Sequence, residues 1–246
     1  MLTAWGDESG SQPDRDPDTY LIAAALCDED DVPEIRKTME SLRLTTEKKV
    51  HWHGSSADRR HDLVEAVAAL PLAGLVVIHT EAAVSDRRHR RKCLEYLLPN
   101  LAEMPCSHIT LESRSHLDAS DVDILQKFRA QKVITSSLRV NHAVGMVEPA
   151  LWVADIVCGA VVQSGSGIPA TWRNSQVRST CDRFDPETTR ATGLVVRRVV
   201  LWLTSSPTSM GRLHHGIYQS RRICSKEGVI HLLTGTDAQS SASGRM

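Results

Sequence analysis

The chain has 246 residues, 41% of them hydrophobic, 24% charged and 4% aromatic, a composition that excludes a collagen, a coiled coil and a wholly disordered chain. That length holds one core of ordinary size, in one or two domains. A formal net charge of −1 excludes the strong overall field that marks many nucleic-acid or membrane partners, yet residues 1–164 carry −7 and residues 165–246 carry +6.

In chain order, Leu2–Gly6 reads as a short strand ending at Asp7-Glu8-Ser9-Gly10, and the Pro- and Asp-rich stretch 11–18 as a loop. Thr19–Cys27 is an apolar run with the length of a buried strand, placed to pair with the first as a hairpin. Asp31, Pro33 and Glu34 open a helix with Ile35, Met39 and Leu42 on one face, ending near Arg43. The alternation in Lys49-Val50-His51-Trp52-His53-Gly54 predicts a short third strand. Ser55 or Ser56 then caps a helix with Leu63, Val64 and Val67 inside, which stops around Pro71.

Gly74–Thr80 is a strand of the buried kind. Ser85 opens a longer helix with Cys93, Leu94, Leu97, Leu98 and Leu101 inside and a basic cluster, Arg87 to Lys92, at its start. A strand at Ser107–Glu112, a helix opened by Ser120, a strand at Leu138–Val144 and a helix at Ala150–Gln163 complete the series. Strands and helices alternating behind an opening hairpin predict a mixed sheet covered by helices, a three-layer α/β domain over residues 1–163. Residues 164–246 read as a flexible Ser-Gly joint and a basic, Ser/Thr-rich tail, partly disordered, with one apolar stretch at Leu194–Leu203.

No apolar stretch is long enough to span a membrane, and the N-terminus lacks a signal-peptide pattern. The six cysteines are scattered with no CxxC pair, which disfavours a zinc site or disulfide framework. These features predict a cytoplasmic protein.

Three carboxylates are out of keeping with their surroundings. Asp155 interrupts a helix that is apolar on nearly every side, where an unpaired charge costs several kcal/mol (order of magnitude). It is either a structural acid bonded to a backbone amide or to an arginine such as Arg114, or it is aimed at a site. Asp7, beside Glu8, and Glu112 each end a strand, where open α/β sheets place their ligands. If the two strands are parallel neighbours, Asp7 and Glu112 lie at one sheet edge, within reach of Asp155. Convergent carboxylates repel one another, and a divalent cation with oxygen ligands, Mg²⁺ or Mn²⁺, relieves that repulsion. Such clusters serve phosphodiester cleavage.

Asp7-Glu8-Ser9-Gly10, Lys49-Val50-His51-Trp52, Leu111-Glu112-Ser113-Arg114 and Glu148-Pro149-Ala150-Leu151-Trp152-Val153-Ala154-Asp155, in this order, resemble a large bacterial family of uncharacterised proteins, a domain of unknown function that opens with a DESG motif. The resemblance covers roughly residues 1–163 and implies an RNase H-like fold. It further implies a nuclease core in which Asp7, Glu112 and Asp155 are metal ligands, with Glu8 or Asp118 as a fourth. One departure stands out: an RNase H core opens with three antiparallel strands, whereas here a helix precedes the short third one.

Lys49 and His51 share one side of that short strand and are candidates to contact a scissile phosphate. His53 shares the face, but a His51/His53 zinc pair lacks cysteine partners. The Arg87–Lys92 cluster is either a solvated helix end or a phosphate contact. The expected activity is therefore metal-dependent nuclease chemistry on DNA or RNA. The alternative is a non-catalytic module of the same fold that binds nucleic acid or protein through its basic tail.

Overall fold

Residues Thr19–Asp28 form strand β2, buried at every residue but the last, because its apolar side chains are covered on both faces and both edges are paired. The computed structural model describes residues 1–10 and 17–164, and the backbone of strands Val195–Leu203, Ile223–Ser225 and Gly228–Ile230. On one side β2 pairs antiparallel with β1 (Leu2–Ser9), and on the other antiparallel with β3 (Leu72–Thr80). Beyond β1 lie β4 (Cys106–Glu112) and β5 (Arg139–Ala143), parallel to it and to each other. Val195–Leu203, strand β6, pairs antiparallel with β3, giving a six-stranded order β5-β4-β1-β2-β3-β6. Strands β7 (Ile223–Ser225) and β8 (Gly228–Ile230) pair antiparallel with each other.

Period-2 alternation sends successive side chains to opposite faces. Trp5, Leu21, Ala23, Val76 and Ile78 meet α1 (Val32–Leu42), α2 (Ala57–Ala69) and α5 (Pro149–Gln163) on one face. Leu2, Ala4, Ile22, Leu75 and Val77 meet α3 (Asp86–Glu103) and α4 (Asp118–Ala130) on the other. This is the three-layer α/β domain expected, with a mixed sheet between two layers of helices. Helix α5 is apolar all round because the sheet, α1 and α2 enclose it.

The expected short strand at 49–54 is not one: these residues form an irregular segment. Their alternation is real, but Val50 enters the core while Lys49 and His51 turn to carboxylates, and no neighbouring strand pairs with them. The third antiparallel strand is β3, so the departure noted in the sequence stands: helices precede the third strand. Two helices and the 43–56 segment are inserted between β2 and β3.

Ser56 and Ser85 cap their helices as expected, each accepting a hydrogen bond from the backbone three residues on. Helix α4 starts at Asp118 rather than at Ser120. The Asp118 carboxylate instead braces the preceding loop, accepting from Ser113 Oγ at 2.6 Å and the Arg114 amide at 2.8 Å. The disorder expected between 164 and 246 falls mostly outside the described residues, as does His214-His215, while Val195–Leu203 joins the sheet as β6.

Candidate functional site

Parallel pairing of β1 with β4, Gly6 opposite Leu111, carries Asp7 and Glu112 to the same end of adjacent strands. Gly6 and Leu111 both face the α3 side, Gly6 lying against Leu111 and Ile109, so alternation turns the next residues, Asp7 and Glu112, toward α5. Asp155 projects from α5 onto this end of the sheet. It is only partly buried, not sunk in the core, and its partner is not an arginine.

Asp155 is held by the 49–54 segment. Its Oδ2 accepts the Trp52 amide at 2.7 Å, and His51 Nδ1 lies 3.0 Å from both carboxylate oxygens. A Cβ on Gly159, one turn further along α5, would stand 2.0 Å from the Trp52 ring, so the absence of a side chain there seats the indole on the helix. Arg60 covers the same ring, 5.2 Å from its centroid. Lys49 Nζ binds both Glu112 oxygens at 3.0 and 3.2 Å. Glu112 in turn lies against Gly145, where a Cβ would come within 2.2 Å of Oε1. Trp152 Nε1 donates to the Gly145 carbonyl at 2.6 Å and fixes that loop to α5.

Asp7 carries the electrostatic signature of the site. It is 4% exposed, and its carboxyl is pushed up to about 8, first by burial and then by the negative charges of Glu112 and Asp155, against the pull of Lys49 and Arg114. His51 is raised above its ordinary value, chiefly by its hydrogen bond to Asp155 and against its own burial. The neighbouring Cys158 thiol donates to the Asp7 carbonyl at 3.3 Å and is held neutral by burial and by the Asp7 and Asp155 carboxylates, so it is no nucleophile here.

The structure thus brings together Asp7, Glu112, Asp155, Lys49 and His51. It does not bring Glu8 to them. Glu8 leaves β1 toward α3, where Arg90 binds it, and Arg114 Nε donates to it at 2.8 Å. Asp118 likewise faces its own loop and His142. Arg114 was a candidate partner for Asp155 but stands instead over Glu8 and Asp7, 3.7 Å from the latter. His53 stays exposed, its ring 6.2 Å from that of His51.

Sequence reasoning missed the polar cluster on the α3 and α4 side. Arg90 is bidentate to buried Asp121 at 3.1 and 2.7 Å, and His142 Nε2 meets the same carboxylate at 3.0 Å. Charged residues on the inner sides of α3 and α4 were the available signal.

The donor set suits a hard divalent cation: three carboxylates, one of them driven toward its neutral form by burial and by the other two. Among the described residues no three acidic, histidine or cysteine side chains already stand in a coordinating arrangement. Glu112 is turned to the Lys49 ammonium and Asp155 to His51.

No family model matches the chain, and no curated protein matches it. Among solved structures it is similar to the RNase HII of Archaeoglobus fulgidus in its complex with PCNA, at 14% identity over 78% of this chain and 86% of that one, with a TM-score of 0.47. It is also similar to ribonuclease H2 of Pyrococcus horikoshii OT3, at 14% identity over 71% of this chain and 83% of that one, with a TM-score of 0.42. Among the described residues no helix is long and apolar enough to cross a membrane.

Proposed function

We propose that the protein is a divalent-metal-dependent nuclease of RNase H-like fold, cleaving phosphodiester bonds of DNA or RNA. One observation carries this reading: buried Asp7 lies in the field of both Glu112 and Asp155, and burial together with those two negative charges pushes its carboxyl up to about 8. Purely structural carboxylates are ordinarily stabilised in their charged form, not forced out of it.

Asp7, Glu112 and Asp155 would hold Mg²⁺ or Mn²⁺. When bound, such an ion lowers the pKa of a water and offsets charge on the phosphoryl oxygens. Lys49 and Arg114, on either side of the acids, attract and orient the phosphate. With Nδ1 committed to Asp155, His51 presents Nε2 to the substrate, and its hydrogen bond to that carboxylate favours the protonated ring. Water oxygen bonds to phosphorus as the water gives up one proton to solvent, the bond to the leaving oxygen breaks, and His51 supplies the proton that oxygen needs. Among the described residues, the free and buried Cys27, Cys93, Cys106 and Cys158 suit a cytoplasmic setting.

The alternative, a non-catalytic binding module, draws on the pairing of Glu112 with Lys49 and of Asp155 with His51, which would then be internal salt bridges only. Titration of Mg²⁺ and Mn²⁺ by thermal shift, with cleavage of labelled DNA and RNA, separates the two. Wild type should be stabilised by metal and cleave; Asp155→Asn should do neither. Cleavage retained by Asp155→Asn with wild-type metal dependence would place the catalytic centre elsewhere.

A further inference from the structure

On the opposite face of the sheet from Asp155, α3 and α4 line an open-mouthed cavity of about 390 Å³. Its lining holds five cationic side chains, Arg87, Arg88, Arg90, Arg91 and Lys127, against two carboxylates, Asp121 and Asp123. Three of the arginines are engaged: Arg90 with Asp121 and Glu8, Arg88 with Glu81, and Arg91 with Glu95. Arg87 and Lys127 are exposed and make no ion pair with another described residue. The hydroxyl-bearing Ser85 and Ser120 complete a rim of hydrogen-bond donors.

We propose that this cavity binds phosphate groups, with Arg87 and Lys127 as the contacts that supply charge. Guanidinium forks and lysine ammonium groups are the side chains that recognise phosphate, and here two are left without an internal counter-ion. The source favoured by position is a nucleic-acid strand. Arg90, in the cavity lining, binds Glu8, the residue next to Asp7, so both sites lie at the same end of β1, one on each face. A strand crossing that sheet end past Asp7 would set a backbone phosphate into the cavity. The choice of a strand rests on the nuclease reading; the phosphate chemistry of the cavity does not.

The test uses the full chain in EDTA, so that cleavage plays no part. Binding of a fluorescent single-stranded oligonucleotide is followed by anisotropy over a range of salt, and binding of inorganic phosphate and of a mononucleotide by calorimetry. The variant is Arg87→Gln with Lys127→Gln, both exposed; Lys37→Gln, exposed on α1 beyond the other face, is the control for charge. For a strand, the double variant should bind about tenfold more weakly and lose about 1.5 from the slope of log K against log salt, while Lys37→Gln binds as wild type. If only phosphate and mononucleotide binding falls, the cavity stands and its ligand is a small phosphate. If wild type binds none of the probes, or the double variant matches Lys37→Gln with all of them, the proposal is overturned. Sensitive strand binding in a protein that never cleaves would remove the nuclease reading and leave the cavity in place.

Discussion

Asp7→Asn probes the crowded carboxyl directly. Asparagine preserves the shape of the side chain and the acceptor that receives the Glu8 amide at 2.8 Å, and removes only the charge. In the wild type without metal, the carboxyl titrates from 3.8 in the unfolded chain to about 8 in the folded one. A raised folded-state value gives stability that is full below the unfolded pKa and is lost as pH rises through the folded one, so it declines between about pH 4 and pH 8. At neutrality, folding must return a proton to Asp7, which costs about 4 kcal/mol at roughly 1.4 kcal/mol per pH unit. The asparagine variant escapes that cost. Urea unfolding in EDTA from about pH 5 to about pH 9 should show it more stable than wild type, by an amount that grows with pH up to about 8. Metal should reverse the order by stabilising only the wild type, with release of about one proton on binding near neutrality. An asparagine variant less stable than wild type at every pH, with an unchanged slope, would refute the argument that Asp7 is the acid forced out of its charged state.

Two further substitutions test the supports of the site. Gly159→Ala puts a methyl 2.0 Å from the Trp52 ring, and should cost about 1–3 kcal/mol by urea unfolding, despite alanine's better helix propensity, and free the Trp52 amide from Asp155. Wild-type stability would show that the indole is not seated on α5. Lys49→Gln removes the cation that binds Glu112 and opposes the rise of Asp7, so the decline in stability should extend to higher pH than in wild type, read by the same titration. An unchanged profile would mean that Lys49 does not share the field of the three acids.

The layers of the fold were legible because burial writes itself into the sequence as period and length. The continuous apolar run of β2, the helical spacing of Leu94, Leu97, Leu98 and Leu101, and the all-round apolarity of α5 each report how many sides of an element are covered. Alternation alone misled at Lys49–Gly54. Period 2 records that one set of side chains is buried and the other is not, and says nothing about where the backbone amides go. There the Trp52 amide goes to a carboxylate on a helix 103 residues away. That contact, like the seat of Trp52 on Gly159, depends on how the insertion between β2 and β3 folds back, which no local pattern encodes.

The assignment of the opening acids follows from the same alternation, once a neighbour fixes its phase. Trp5 packs under α5, while Leu2 and Ala4 pack under α3. Asp7 therefore shares the face of Trp5, and Glu8 the face of Ala4. Pairing of Asp7 with Ala23 and of Glu8 with Ile22 holds that phase, because Ala23 and Ile22 belong to the two different cores. A slip of one residue in β1 would exchange the two acids, sending Glu8 toward Glu112 and Asp155 and Asp7 toward Arg90. It would also drive Trp5 into the α3 side, which is already filled, and leave the α5 side without its indole. The burial of apolar residues several positions upstream is thus what decides which acid meets the repulsion of Glu112 and Asp155 and which is neutralised by arginine. In this chain the register of the hydrophobic core and the chemistry of the candidate site are one choice.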